Sequence, residues 1–173
     1  MNLQVLISAL RLSRSRPLER LPVGDWQGRR VAADSINVED LAGMPKPDGV
    51  RAVPINMIGT AGRRIPARIY RTPSASDRAC IVYVHGGGMI MGSLDGYDRR
   101  CSTYAAQTGV PVIAVDYRLA PEHPYPAAVD DVTDAVTWVA SHAEEFGIDP
   151  DRIAIAGDSA GGGIAAGVTL RLR

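Results

Sequence analysis

The chain has 173 residues, 46% of them apolar, and its 19 basic side chains balance 19 acidic ones. That length and apolar content suit one ordinary globular domain. A balanced chain lacks the electrostatic footprint of a nucleic-acid binder, and the opening run Met1–Leu10 is too short to span a bilayer.

No positive residue precedes that run and no small-residue cleavage site follows it, so it does not read as a secretory signal and cytoplasmic residence is the default. Cys80 and Cys101 have neither zinc-ligand nor C-x-x-C spacing. They read as buried reduced thiols, and no metal or cofactor is implied.

Residues 1–45 carry helical fragments interrupted by Pro17, Pro22 and Gly24, followed by a polar connection through Met44–Gly49. Val5, Leu6, Ala9, Leu10 and Leu12 have amphipathic spacing, and Arg11, Arg14, Arg16 and Arg20 give this segment a solvated basic face. The segment is equally compatible with a packing arm and a substrate lid.

From Val50 the pattern changes to strands. Val50–Ile58 and Ile65–Tyr70, joined by Gly59-Thr60-Ala61-Gly62, predict an antiparallel hairpin. Cys80–Val84 predicts a buried strand, followed by a helix with Tyr97, Cys101, Tyr104 and Ala105 on one face. Val110–Val115 predicts the next strand, with Pro111 among its first residues.

After Pro126 a long helix buries Val132, Ala135, Val136, Val139, Ala140 and Ala143 and is stopped by Gly147. Ile153–Ala156 predicts a last strand that runs into a final helix. Strands alternating with helices from Ile81 onward imply right-handed βαβ units and a mostly parallel sheet, with its site beyond the carboxyl ends of the strands.

Gly157-Asp158-Ser159-Ala160-Gly161 lies where the last strand meets the last helix, the context of a G-x-S-x-G nucleophile elbow. There the Ser159 hydroxyl would project from the sheet edge, and the Ala160 amide would open a helix and point at developing negative charge. Upstream, His85-Gly86-Gly87-Gly88-Met89 follows the strand Ile81–Val84. Its glycines let backbone amides approach a ligand closely. Met89, Ile90 and Met91 fit an acyl pocket or ordinary core equally well, while Tyr97, Tyr104 and Trp138 read as packing.

A third stretch, Asp116-Tyr117-Arg118-Leu119-Ala120-Pro121-Glu122-His123-Pro124-Tyr125-Pro126, leaves the middle parallel strand on the same edge. With His85–Gly88 and Gly157–Gly162, it resembles the hormone-sensitive-lipase-like branch of the α/β-hydrolase esterases, from about Val50 to the end. The resemblance implies an α/β-hydrolase fold: a mostly parallel sheet with an N-terminal antiparallel hairpin. Residues 46–173 would form a partial domain of this kind, and residues 1–45 a helical cap-like segment.

The same resemblance implies Ser159 as nucleophile and the amides of Gly87, Gly88 and Ala160 as oxyanion donors. His85, Gly86 and Asp158 would support the loops, with Met89 at the substrate. Arg118 and Glu122 would brace the structure. The expected reaction is hydrolysis of short- or medium-chain esters through an acyl-enzyme, without a cofactor. One departure is Gly163, where relatives usually carry asparagine, and different local packing is expected there.

No residue after Ser159 is Asp, Glu or His, although these hydrolases supply acid and base after the nucleophile. Upstream, His142 falls roughly 20 Å down its helix from the functional edge at about 1.5 Å per residue. His123 belongs to a strand about 10 Å from that of Ser159. His85 holds the oxyanion loop in the family.

The strand Ile153–Ala156 is apolar on both faces, yet no later strand follows to cover its edge. The expectation is the N-terminal part of a larger hydrolase, inactive alone and prone to self-association through that edge, with its C-terminal strands absent. Alternatives are a non-catalytic small-molecule binder on the same scaffold, or a peptidase or acyltransferase sharing the nucleophile.

Overall fold

The computed structural model describes residues 21–33, 46–73 and 78–173. The expected amphipathic helix around Val5–Leu12 and the basic face from Arg11 to Arg20 lie outside the described residues, as do Met44 and Pro45 of the connection ending at Gly49. Within the first segment, residues 26–33 are helical.

β1 (Arg51–Ile58) and β2 (Arg64–Arg71) form the expected antiparallel hairpin, with Met57 paired to Ile65 beside the turn. β3 (Cys80–Val84), β4 (Val112–Val115) and β5 (Ile153–Gly157) are mutually parallel, and the sheet order is β1-β2-β4-β3-β5. β2 joins the two parts by pairing antiparallel with β4. This mixed sheet is the α/β-hydrolase architecture anticipated from the sequence.

The helices cover both faces. α1 (Leu94–Thr108) starts at Ser93, whose hydroxyl accepts the Gly96 amide hydrogen at 3.1 Å, and ends at the left-handed Gly109. It packs Cys101 and Ala105 against Tyr70, Tyr83, Val112 and Ala114. On the opposite face, α2 (Ala127–Ser141) and α3 (Ala160–Arg171) pack against Val82, Val84, Ile113 and Val115. The period-two alternation of β4 thus separates the two cores. Both cysteines are buried, free thiols, and burial pushes each up to about 12.

Two boundaries differ from expectation by more than one residue. β4 begins at Val112 because Pro111 has no amide to donate, although its carbonyl still accepts from Ile81 at 2.9 Å. The helix predicted to reach Gly147 stops at Ser141, followed by a 3-10 turn over Ala143–Phe146 that the left-handed Gly147 closes. The Trp138 carbonyl, approached by the Ser141 hydroxyl, the His142 ring and the His142 amide, marks that break. Among the described residues, no helix is long and apolar enough to cross a membrane.

Candidate functional site

The carboxyl ends of β3 and β5 lie side by side, with Val84 the register partner of Gly157. The chain leaves β3 into His85-Gly86-Gly87-Gly88 and leaves β5 into Asp158-Ser159, so the two candidate loops are adjacent. The Asp158 amide donates to the Val84 carbonyl at 3.3 Å, tying the turn after β5 to the end of β3.

Ser159 has φ 50° and ψ −117°, a left-handed conformation that disfavours a side chain. Such a residue costs on the order of 1–3 kcal/mol and persists only where its surroundings hold it. Here β5 and α3 do so, and the Ser159 side of the turn is left exposed. Ala160 is the first residue of α3, where an amide has no intrahelical acceptor. Among the described residues, the amides of Gly87, Gly88 and Ala160 have no acceptor.

Close approach explains the glycines at two crossings. A Cβ at Gly161 would press into the backbone oxygens of Val84 and His85, so α3 can ride over the end of β3 only with glycine there. A Cβ at Gly86 would lie 2.9 Å from the Asp158 carbonyl and 3.0 Å from the Tyr97 hydroxyl. A Cβ at Gly163 would meet nothing within 4 Å, so that position would admit a side chain without a clash.

The loops are braced by side chains behind them. His85 is 2% exposed, and its ring stacks on Tyr117 at 4.3 Å. Its Nδ1 donates to the Gly86 carbonyl at 2.8 Å, leaving Nε2 unprotonated and without a partner among the described residues. Burial lowers the imidazole pKa and outweighs that bond, so His85 is a neutral brace. The Tyr117 hydroxyl donates to the His85 carbonyl at 2.9 Å, and burial raises its pKa.

Asp158, between Gly157 and Ser159, accepts from Arg100 Nη1 at 2.7 Å. Burial opposes the Arg100 charge, but the Asp158 carboxylate prevails and raises its pKa. Arg100 also lies 4.9 Å from the Tyr97 ring centroid, and Tyr97 in turn accepts the Gly86 amide hydrogen. Tyr97 and Arg100 on α1 therefore hold both loops. Tyr97 reads from sequence as packing and Arg100 does not stand out at all; the signal for the pair is an aromatic and a cation at i and i+3, just after the glycine loop.

The third stretch is also in place. Arg118 forks onto Asp131 of α2 through Nε and Nη2, both at 2.9 Å, while Asp131 is 2% exposed. Those bonds raise the Arg118 pKa. Arg63 adds a second cation at 2.8 Å from the same carboxylate. The expected bracing by Arg118 thus has a specific buried partner. The peptides Ala120–Pro121 and Tyr125–Pro126 are cis.

A cavity of about 660 Å³ opens beside these loops, with Met89, His123, Tyr125, Gly163 and Ile164 among its lining residues. Met89 is 40% exposed with φ 64°, so it faces this space rather than the core. Tyr104 and Trp138 pack as expected, on Tyr83 and on His142 respectively.

The chain's three histidines are accounted for. His85 is buried, with Nδ1 bonded to Gly86; His142 caps α2 and bonds Trp138; His123 is exposed after β4, which β3 separates from β5. The structure brings Ser159, Ala160, Gly87 and Gly88 to one edge and puts no histidine on the loops beside Ser159 with a free, exposed ring.

The family described as alpha/beta hydrolase fold matches residues 81–173, more than half of the chain. The chain is similar to esterase LipI of Mycobacterium tuberculosis, 47% identical over 79% of this chain and 43% of that protein. It is also similar to ethyl acetate hydrolase of Pseudomonas putida, 49% identical over 60% of this chain and 34% of that protein. Among solved structures, a hyperthermophilic esterase from the archaeon Pyrobaculum calidifontis superposes with a TM-score of 0.85 at 36% identity, covering 100% of this chain and 55% of the other. The chain thus spans less than half the length of these curated relatives and about half of that structure. The family match over residues 81–173 shows that the chain belongs to the α/β-hydrolase fold family, in its hormone-sensitive-lipase-like esterase branch.

Proposed function

We propose that the protein hydrolyses short- or medium-chain carboxylic esters, with Ser159 as the nucleophile. One observation carries this reading: the strained Ser159 turn and the Gly87-Gly88 turn leave register-paired strands, with three acceptor-free amides beside them. The Ser159 Oγ attacks the ester carbonyl carbon, and the carbonyl π electrons move onto oxygen. The amides of Gly87, Gly88 and Ala160 donate to that oxyanion, and each such donor typically contributes about a hundredfold or more in rate.

Collapse of the tetrahedral intermediate expels the alcohol, which takes a proton, and leaves an acyl group on Ser159. Water then releases the acid and restores the hydroxyl. Both half-reactions need a general base, and none of His85, His123 and His142 fits that role. Residues 1–173 therefore supply the nucleophile and the oxyanion donors without a base, and on this reading they are inactive alone.

The substrate is a small ester, in keeping with the relatives named as esterases and as an ethyl acetate hydrolase. The apolar cavity at Met89 and Ile164 suits one arm of such a substrate. Residues 1–45 act as a cap-like segment, and the protein works in the cytoplasm. Hydrolysis of p-nitrophenyl acetate and butyrate by the intact protein tests the reading. Turnover lost in Ser159→Ala supports it, and turnover that survives the substitution rejects it.

A further inference from the structure

Arg30, on the helical stretch 26–33, reaches far along the chain. Its Nε donates to the Ile90 carbonyl at 2.5 Å and its Nη2 to the Ala120 carbonyl at 2.9 Å. Nη1 and Nη2 also grip the Glu122 carboxylate at 2.6 and 2.7 Å. The guanidinium lies 4.5 Å from the Trp26 ring centroid, so its own helix fixes its plane. Through its hydrogen bonds Arg30 holds the Glu122 carboxyl below the usual range.

An exposed ion pair is worth little by itself. The backbone acceptors make this contact different. Ile90 follows Met89, which has a left-handed φ of 64° and comes directly after Gly88. A side-chain-bearing residue stays in that region only when neighbours hold it. The carbonyls of Met89 and Ile90 are held, the first by the Ala120 amide at 2.9 Å and the second by Arg30. Arg30 and Ala120 also bond each other, which closes a ring joining the Gly87-Gly88 turn, the loop after β4 and the helix 26–33.

We propose that Arg30 is a positioning residue that locks the Gly87-Gly88 turn against the Ala120–Glu122 loop, coupling docking of the N-terminal segment to the aim of the oxyanion amides. The kinetic consequence rests on the ester-hydrolysis reading; the locking itself does not. A guanidinium presents donors on both edges of a rigid plane, which a lysine ammonium cannot reproduce. Displacing a reacting geometry by about an ångström can cost about a hundredfold in rate.

The test compares the intact protein with Arg30→Lys, Arg30→Ala and Glu122→Gln, reading kcat, KM and amide hydrogen exchange of peptides covering 86–91 and 118–122. We expect Arg30→Lys to lower kcat about tenfold or more, with KM within about twofold, because aim and not substrate affinity is lost. Exchange should quicken in both peptides, while the α3 peptides keep wild-type rates. Glu122→Gln keeps the carbonyl contacts and should change kcat less than Arg30→Lys does. If Arg30→Ala fails to fold, the other two variants decide.

Wild-type exchange in 86–91 for Arg30→Lys overturns the proposal, as does quickened exchange with unchanged kcat, or a rise in KM alone. If the wild-type protein shows no ester turnover, the functional reading fails and the exchange measurement alone decides the locking.

Discussion

The Tyr97 hydroxyl accepts the amide hydrogen of Gly86 across 3.1 Å, so the first turn of α1 carries the glycine loop. Arg100, one turn later, holds Asp158 at 2.7 Å. One helix face therefore sets the separation between the loop that presents Gly87 and Gly88 and the turn that presents Ser159.

Tyr97→Phe keeps the ring against His85 and removes only the acceptor. A buried amide left unpaired costs about 1–3 kcal/mol, which here falls on the glycine loop. We expect a thermal midpoint lower by several degrees and kcat reduced about tenfold, with KM nearly unchanged. Thermal unfolding and steady-state kinetics check this, and wild-type values in both would show that the bond does not position the loop.

Two glycines of α3 should respond oppositely to alanine. Gly161→Ala drives a methyl group into the carbonyls of Val84 and His85, so α3 must lift from β3. Loss of several kcal/mol, or of soluble protein, is expected. Gly163→Ala meets open space and should stabilise the helix by about 0.5–1 kcal/mol. Denaturant titration of both variants measures the contrast, and equal effects would refute the packing described for Gly161.

His85 gives a pH signature whose direction follows from burial. Its folded pKa is depressed, so below the ordinary value near 6.5 the unfolded chain takes up a proton that the native imidazole refuses. His85 should therefore cost no stability above about pH 7 and an increasing amount as pH falls through about 6.5 toward its folded value. The His85 ring resonances in an NMR titration should show a midpoint below the ordinary value near 6.5. A midpoint at or above that value would contradict its buried environment.

How much of this was readable from sequence depends on the span of each interaction. The strands, the Ser159 turn and the glycine loop were legible because apolar runs and motif spacing lie within a few neighbouring residues. The pairing of Val84 with Gly157 emerges only in the sheet, where β3 lies between β4 and β5. Arg118 was expected to brace, but Asp131 as its buried partner was not identified. Tyr97, Arg100 and Arg30 act on residues 11, 58 and 92 positions away, and only the folded chain reveals those pairings. Pro111 and Ser141 show a smaller limit: β4 begins and α2 ends where a hydrogen bond is missing or diverted, which apolar spacing does not report.

The polypeptide of residues 1–173 alone should show no Ser159-dependent turnover, because His85 is buried and bonded to Gly86 and no other histidine flanks the turn. Its β5 edge pairs only with β3 among the described residues, so it should also self-associate. Ester turnover abolished by Ser159→Ala in that polypeptide would contradict this reading of the histidines, and a clean monomer in sedimentation at high concentration would contradict the edge argument.

A serine nucleophile held beside three acceptor-free amides must react with an ester-like electrophile. Mass spectrometry of the intact protein after treatment with a fluorophosphonate measures it most directly. We predict one adduct per chain, on the peptide containing Ser159, absent in Ser159→Ala. An adduct on another residue, or equal labelling of Ser159→Ala, would contradict it.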